Sequence, residues 1–147
     1  MKCKECKATL SLAEHQKSLS DFGVELCERH YARILKIGVK NNTPPEAVQL
    51  YYGLREVGVK AMLEWWNGSK SIDIAVSRVK LNIEIEVQPQ LLTQEEAIKQ
   101  LEEAMHSYKK GFTTLQIPDF MVRECLGETI FHIVEIIDGL KRNIRVI

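Results

Sequence analysis

From Ser71 to Gln88 apolar and polar residues alternate with period two, the pattern of half-buried strands. Ile72, Ile74 and Val76 share a face opposite Asp73. Leu81, Ile83, Ile85 and Val87 share one opposite Asn82, Glu84, Glu86 and Gln88. A further strand is predicted in "VKAMLEWW", separated from "KSIDIAVS" by Asn67-Gly68, a strong hairpin dipeptide. Upstream, "TPPEAVQLYYGLREVG" switches to helical spacing. Thr43 suits the N-cap, Pro44 the first helical position, and Glu46 completes a capping box. Ala47, Leu50, Tyr51 and Leu54 form its apolar stripe and Gly58 its stop. Downstream, "TQEEAIKQLEEAMHSYKKG" predicts a helix with a Thr93–Glu96 capping box. Its apolar face is Ala97, Ile98, Leu101, Ala104, Met105 and Tyr108, and Gly111 lies past its end. "FTTLQIP" reads as a fourth strand, and residues 119–140 as apolar helix with a break near Gly127. The order is helix, three strands, helix, strand, helix. A crossover helix between the third and fourth strands implies a mixed, partly parallel sheet flanked by helices, hence an α/β fold.

The polar side of the strand pair is acidic. With Arg78 and Val79 as a two-residue turn, Asp73 stands across from Glu84; a shift of one or two residues leaves it beside Glu84 or Glu86. Like charges facing each other across strands are destabilising. Solvent, basic neighbours or a bound cation would offset that, and magnesium prefers oxygen ligands of this kind. Alternation by itself is equally the mark of a solvated sheet face.

The N-terminal segment differs in kind. Cys3 and Cys6 form Cys-x2-Cys; after 20 intervening residues Cys27 and His30 form Cys-x2-His. Two such pairs suit tetrahedral structural zinc in a ribbon or knuckle module, and a segment this short has little core without a metal. The alternatives are reduced thiols or one disulfide, and an intracellular setting disfavours the latter. His15 is a competing ligand or an ordinary polar residue. Tyr31, Ile34, Leu35 and Val39 predict a short helix after the site. "KNNTPP" reads as a linker, which gives a zinc-binding module over 1–40 and an α/β domain over 43–147.

Composition adds limits. The 147 residues carry 20 basic and 20 acidic side chains, so no global charge draws the chain to nucleic acid or membrane. No apolar run approaches the ~18 residues of a membrane span, and no secretion signal is evident, so a soluble, cytoplasmic protein is expected. Trp65 and Trp66 could stack on bases, but adjacent strand residues more often split between core and surface. Lys109-Lys110 suits a helix C-terminus. His106 and His132 read as packing or surface residues, and Cys125 as a small buried hydrophobe. The helix from Ile130 to Leu140 is either deep core or the face of a homodimer.

Asp73, ten residues, then Glu84-Ile85-Glu86, in this order of elements, resembles the PD-(D/E)XK restriction-endonuclease-like superfamily. "WNGSKSIDIAVSRVKLNIEIEV" and "YKKGFTTLQIP" are similar to stretches of very-short-patch-repair-like nucleases. The resemblance spans about residues 44–140. It implies Asp73 and Glu84 as ligands of catalytic magnesium or manganese, with the Ile85 carbonyl a third, and Glu46 as an acid turned towards that metal. Glu86 stands where most members have lysine; some carry Glu there, able to bind metal or accept a proton from water. Relatives read approximately I-E-V-D-G-x-x-H over residues 83–90, so Val87 replaces the glycine and Gln90 the histidine. Their basic residue on the next helix aligns with Glu103, with Lys99 one turn earlier. The implied activity is phosphodiester hydrolysis in DNA, catalytic residues being Asp73, Glu84, Glu86 and Glu46. The alternative is a catalytically inactive nuclease fold that binds nucleic acid or protein.

Overall fold

The computed structural model describes residues 1–87 and 93–146; Gln88 and Gln90, at the end of the acidic strand, lie outside the described residues. The elements run α1 (Leu12–Phe22), α2 (Glu28–Asn41), α3 (Pro45–Glu56), β1 (Met62–Trp66), β2 (Ser71–Val76), a 3-10 turn (Ser77–Val79) and β3 (Leu81–Glu86). They continue with α4 (Gln94–Lys109), β4 (Thr113–Pro118), α5 (Asp119–Glu124) and α6 (Leu126–Val146). One four-stranded sheet has the order β1-β2-β3-β4. Its first two pairings are antiparallel and β3–β4 is parallel, with α4 as the crossover. The protein is thus a mixed α/β fold. No described helix is long and apolar enough to cross a membrane.

The apolar faces of β2 and β3 build the main core. Ile74, Val76, Leu81, Ile83 and Ile85 pack with Ala47, Leu50 and Leu54 of α3, Val122 of α5, and Ile133 and Ile137 of α6. A second core joins Leu10, Phe22, Val24, Leu26 and Ile34 to Val48 and Tyr52 of α3. The helix α3 therefore serves both cores, one on each side of its circumference. Gly23, in a left-handed conformation (φ 69°), ends α1 where a Cβ would meet the Gln49 side chain at 2.4 Å.

Several expectations need correction. The helix α3 starts at Pro45, with Pro44 as its N-cap and without a side-chain cap. A residue before proline is pushed out of the helical region, which shifts the start by one. Thr43 is then outside the cap position; it donates to Glu64 at 2.6 Å, and Glu46 accepts from Arg123 at 2.9 Å. Four residues of the predicted apolar face of α4 are exposed: Leu101 at 66%, Tyr108 at 81%, and Ile98 and Met105 with them. Over the sheet, α4 lines a cavity with Glu96, Ala97, Gln100, Leu101, Glu103 and Ser107, a mixed rather than an apolar face. Cys125 is exposed and lies between α5 and α6, so the break comes two residues before Gly127. Among the described side chains of α6, one stripe, Thr129, Ile133 and Ile137, is buried, while Phe131 is exposed. Trp65 stacks on Phe112 with centroids 5.5 Å apart, and Trp66 is exposed, as the split reading expects.

The helix α1 was not foreseen. Its signals are present: Ser11 and Glu14 form a reciprocal capping box, with bonds of 3.1 and 2.9 Å. Its apolar stripe is weak, with Ser18 and Phe22 its buried residues.

Leu50→Ala, at a fully buried position of α3, should lower unfolding free energy by ~2–5 kcal/mol in urea melts. Met105→Ala on the exposed face of α4 should stay within ~0.5 kcal/mol.

Candidate functional site

Two groups of chemically capable side chains lie in different parts of the fold. The first is at the N-terminus. Lys7 in the left-handed region (φ 63°) turns the chain back, and its N–H donates to the Cys3 carbonyl at 2.9 Å. Cys3 donates to the Ala8 carbonyl at 2.9 Å, closing a knuckle that aims Cys3 and Cys6 inward. Cys27 is the N-cap of α2 and His30 sits in its first turn, so a helix start delivers the second pair. The four ligand atoms lie within 4.8 Å of one another. Cys6 and Cys27 sulfurs are 3.8 Å apart, and His30 Nδ1 is 3.6 Å from Cys3 and 3.1 Å from Cys27. Sulfurs at ~2.3 Å from one tetrahedral zinc are about 3.8 Å apart, so the cluster fits that ion. Burial pushes the Cys3 thiol up, but backbone hydrogen bonds at Cys27, Cys6 and Glu5 outweigh it and hold the thiol at about 6. A thiolate is the form a metal takes. His15 stands apart, 3.6 Å from Glu25. The knuckle is tied to α3 by Glu5, which accepts from Arg55 at 2.7 Å, and by Lys4, 2.5 Å from Glu56.

The second group lies on the polar face of the sheet. Ile74 pairs with Ile83 and Val76 with Leu81. The same register continued one step places Asp73 across from Glu84. The connection is the 3-10 turn with Lys80 in a left-handed conformation (φ 53°), not a two-residue Arg-Val turn. Buried Val79 anchors it. Glu84 pairs onward with Gln116 of β4. Leu63 pairs with Ile74 and Trp65 with Ile72, so Glu64 takes the position across from Asp73 on β1. Glu64, Asp73, Glu84 and Gln116 thus occupy one row across four strands. Glu64 has φ 52° within a strand, a strained backbone for a non-glycine residue. Its carboxylate accepts from Ser71 and Thr43, each at 2.6 Å.

Asp73 is half-buried. Burial raises its carboxyl to about 6; the Ile85 N–H at 2.8 Å works against this, while the charges of Glu64 and Glu84 add to it. Glu84 is held by Lys70, whose Nζ lies 3.0 Å from Oε1 and 3.1 Å from Oε2. Lys70 also reaches Glu103 of α4 at 3.2 Å. Burial opposes its charge, but these two carboxylates outweigh it and raise the ammonium above its ordinary value. Between this face and α4 lies a cavity of about 860 Å³, lined by Asp73, Glu84, Glu86, Glu96 and Glu103 against one basic residue, Lys70.

Asp73, Glu84 and Glu86 therefore share this cavity. Glu46 does not line it: it lies on α3, over the opposite face, paired with Arg123, which also takes Asp119 at 3.1 Å. Among the described residues, the Cys3–Cys6–Cys27–His30 set is the only group of three or more metal-type side chains whose ligand atoms converge. Carboxylate oxygens at Asp73 and Glu84 suit magnesium or manganese chemically. In the observed arrangement both Glu84 oxygens are engaged by Lys70. Lys70 and Glu64 were missed in the sequence. Lys70 sits in a turn, where periodicity gives no face, and Glu64 lies in a strand whose pattern is interrupted at that residue.

The chain matches no protein-family model and has no close match among curated proteins. Its fold is similar to the "Homing Endonuclease I-Bth0305I Catalytic Domain", with a TM-score of 0.54 and 15% identity, over 65% of this chain and 95% of that one. This likeness gives the chain a nuclease-like fold.

Two outcomes follow from the site geometry. Loading the Cys3–Cys6–Cys27–His30 cluster with zinc should raise the melting temperature of the whole chain in one transition, and Cys27→Ala should abolish that gain, because α3 belongs to both cores. Calorimetry that shows an unchanged main transition would contradict this. The Asp73 carboxyl, raised from 3.8 to about 6, binds its proton more tightly in the folded state. Stability is thus lost as pH rises through that window. Without added magnesium or manganese, Asp73→Asn should gain stability over the parent between pH 5 and 7.5, measured by urea unfolding at ~0.5-unit steps.

Proposed function

We propose that this protein is a divalent-metal-dependent nuclease acting on the phosphodiester bonds of DNA, of the PD-(D/E)XK type and nearest in pattern to very-short-patch-repair-like enzymes. The observation that carries this reading is the placement of Asp73 and Glu84 side by side in the acidic cavity of a nuclease-like fold. Asp73 and Glu84 would hold magnesium or manganese; when bound, that ion stabilises charge on a phosphodiester and lowers the pKa of water. Asp73 accepts from the Ile85 N–H, so its orientation is set before any ligand arrives. Glu86, at the exposed end of β3 and on the cavity wall, is placed to accept a proton from a water molecule. Glu46 acts from the other side of the sheet and, in this reading, keeps α3 and α5 together through Arg123 rather than touching substrate.

The N-terminal 1–40 segment is proposed as the zinc-binding module and 43–147 as the endonuclease-like domain, with zinc in a structural role. A cytoplasmic setting suits four free cysteines. Homodimer formation through α6 would use exposed Phe131.

A second reading is supported by the charge of the cavity. Five acids against one lysine repel a polyanion unless cations are bound, which favours a non-catalytic binding module. Cleavage separates the two. Zinc-loaded protein incubated with single- and double-stranded DNA and Mg2+ or Mn2+ should cut at least one substrate. Asp73→Ala and Glu84→Ala should each lower the rate about 10²-fold or more, the scale for losing one group that stabilises transition-state charge. No cleavage by the parent, or equal cleavage by all three, would leave the binding-module reading.

A further inference from the structure

Lys70 is the feature of the cavity that the nuclease reading leaves unused. It enters from the turn between β1 and β2, whose shape is set by Asn67 Oδ1 accepting from the Ser69 and Lys70 N–H groups at 2.8 and 2.9 Å. Gly68 supplies the positive φ (95°) that the turn requires. Lys110, at the end of α4, donates to the Asn67 carbonyl at 3.0 Å and fixes the turn against that helix. The Lys70 ammonium is therefore delivered from an anchored backbone.

Its contacts have the geometry of a bound cation. One ammonium spans both oxygens of Glu84, at 3.0 and 3.1 Å, beside Asp73. A metal shared by Asp73 and Glu84 needs at least one of those oxygens, and two cations at one carboxylate repel strongly at this range. A second acceptor is already within reach, since Glu103 Oε2 lies 3.2 Å from the same nitrogen. A small rotation of a flexible four-carbon side chain would transfer the ammonium from the sheet to α4.

We propose that Lys70 is a resident counter-ion of the acidic site, shared by Glu84 and Glu103 when no divalent cation is present and held by Glu103 alone when one binds. This rests on the assignment of Asp73 and Glu84 as metal ligands. The metal affinity of the site is then set by a competition within the protein. Among the described lining residues, Lys70 is the basic group that would stand beside a bound phosphodiester once it leaves Glu84. In the metal-free arrangement Lys70 bridges β3 and α4, and metal binding gives up its link to β3 while keeping its link to α4.

The test is Mn2+ binding to the zinc-loaded full chain, followed by calorimetric titration and by the Mn2+ electron paramagnetic resonance signal. Lys70→Met should bind Mn2+ at least about tenfold more tightly than the parent, the lower part of the range for removing one unit charge at this distance. Adding Asp73→Asn should abolish that gain, which places it at this site. Glu103→Gln should weaken binding several-fold in the parent, where Lys70 loses its second seat, and by clearly less in Lys70→Met. Equal or weaker binding by Lys70→Met overturns the proposal, as does absence of binding in both. An identical effect of Glu103→Gln in both backgrounds overturns the two-seat arrangement. The nuclease reading is judged separately by DNA cleavage. A parent that cuts while Lys70→Met binds no more tightly removes only the role of Lys70. A Lys70→Met that binds tightly in a chain that cuts nothing removes only the nuclease reading.

Discussion

Burial of one face of the β2–β3 pair governs what happens on the other. Ile74, Val76, Leu81, Ile83 and Ile85 are all withdrawn from water against α3, α5 and α6. Side chains alternate with period two, so a slip of one residue would carry every one of these to the polar side. Each fully buried Ile or Leu contributes roughly 1.5–3 kcal/mol relative to exposure, so the register is held by several such terms at once. Asp73 and Glu84 are brought together as a consequence. Their repulsion is tolerated because a one-residue slip would expose the whole apolar face, and because Lys70 supplies a positive charge between β3 and α4.

The same logic explains the posture of α4. An amphipathic helix ordinarily turns its apolar stripe to the sheet it crosses. Here the sheet presents Asp73, Glu84, Glu86 and Gln116, and α4 answers with Glu96, Gln100 and Glu103. Two acidic surfaces cannot close on each other without cations. The outcome is a cavity of about 860 Å³ rather than a packed interface. At the other end of the molecule, α3 ties the knuckle to the sheet: Val48 and Tyr52 enter one core, Leu50 and Leu54 the other. The order of the Cys3–Cys6–Cys27–His30 cluster and the order of the acidic strands are thereby linked through one helix.

The legible parts of the fold were those where local pattern and burial agree. Alternation located β2 and β3, the Asn67-Gly68 pair located the preceding turn, and the long spacing between the third and fourth strands announced a parallel crossover. Paired ligand spacing located Cys3, Cys6, Cys27 and His30, which converge. Helical periodicity found α4 but assigned its apolar stripe to the interior, because the polarity of the facing sheet enters only through tertiary contact. Thr43 and Glu46 satisfied a capping rule in sequence, yet consecutive prolines moved the helix start and gave both side chains other partners. Lys70 escaped notice for a related reason: a turn residue has no face until its turn is built, and its partner Glu103 is 33 residues away.

In the proposed arrangement Asp73 and Glu84 form a divalent-cation site whose occupant in the metal-free protein is the Lys70 ammonium. The most direct measurement is an anomalous-scattering experiment at the manganese edge on crystals of the full chain soaked in Mn2+. The account predicts a peak within coordinating distance of both Asp73 and Glu84, with the Lys70 side chain moved to Glu103. A cavity without a peak, and Lys70 still spanning the two oxygens of Glu84 at saturating Mn2+, would contradict it.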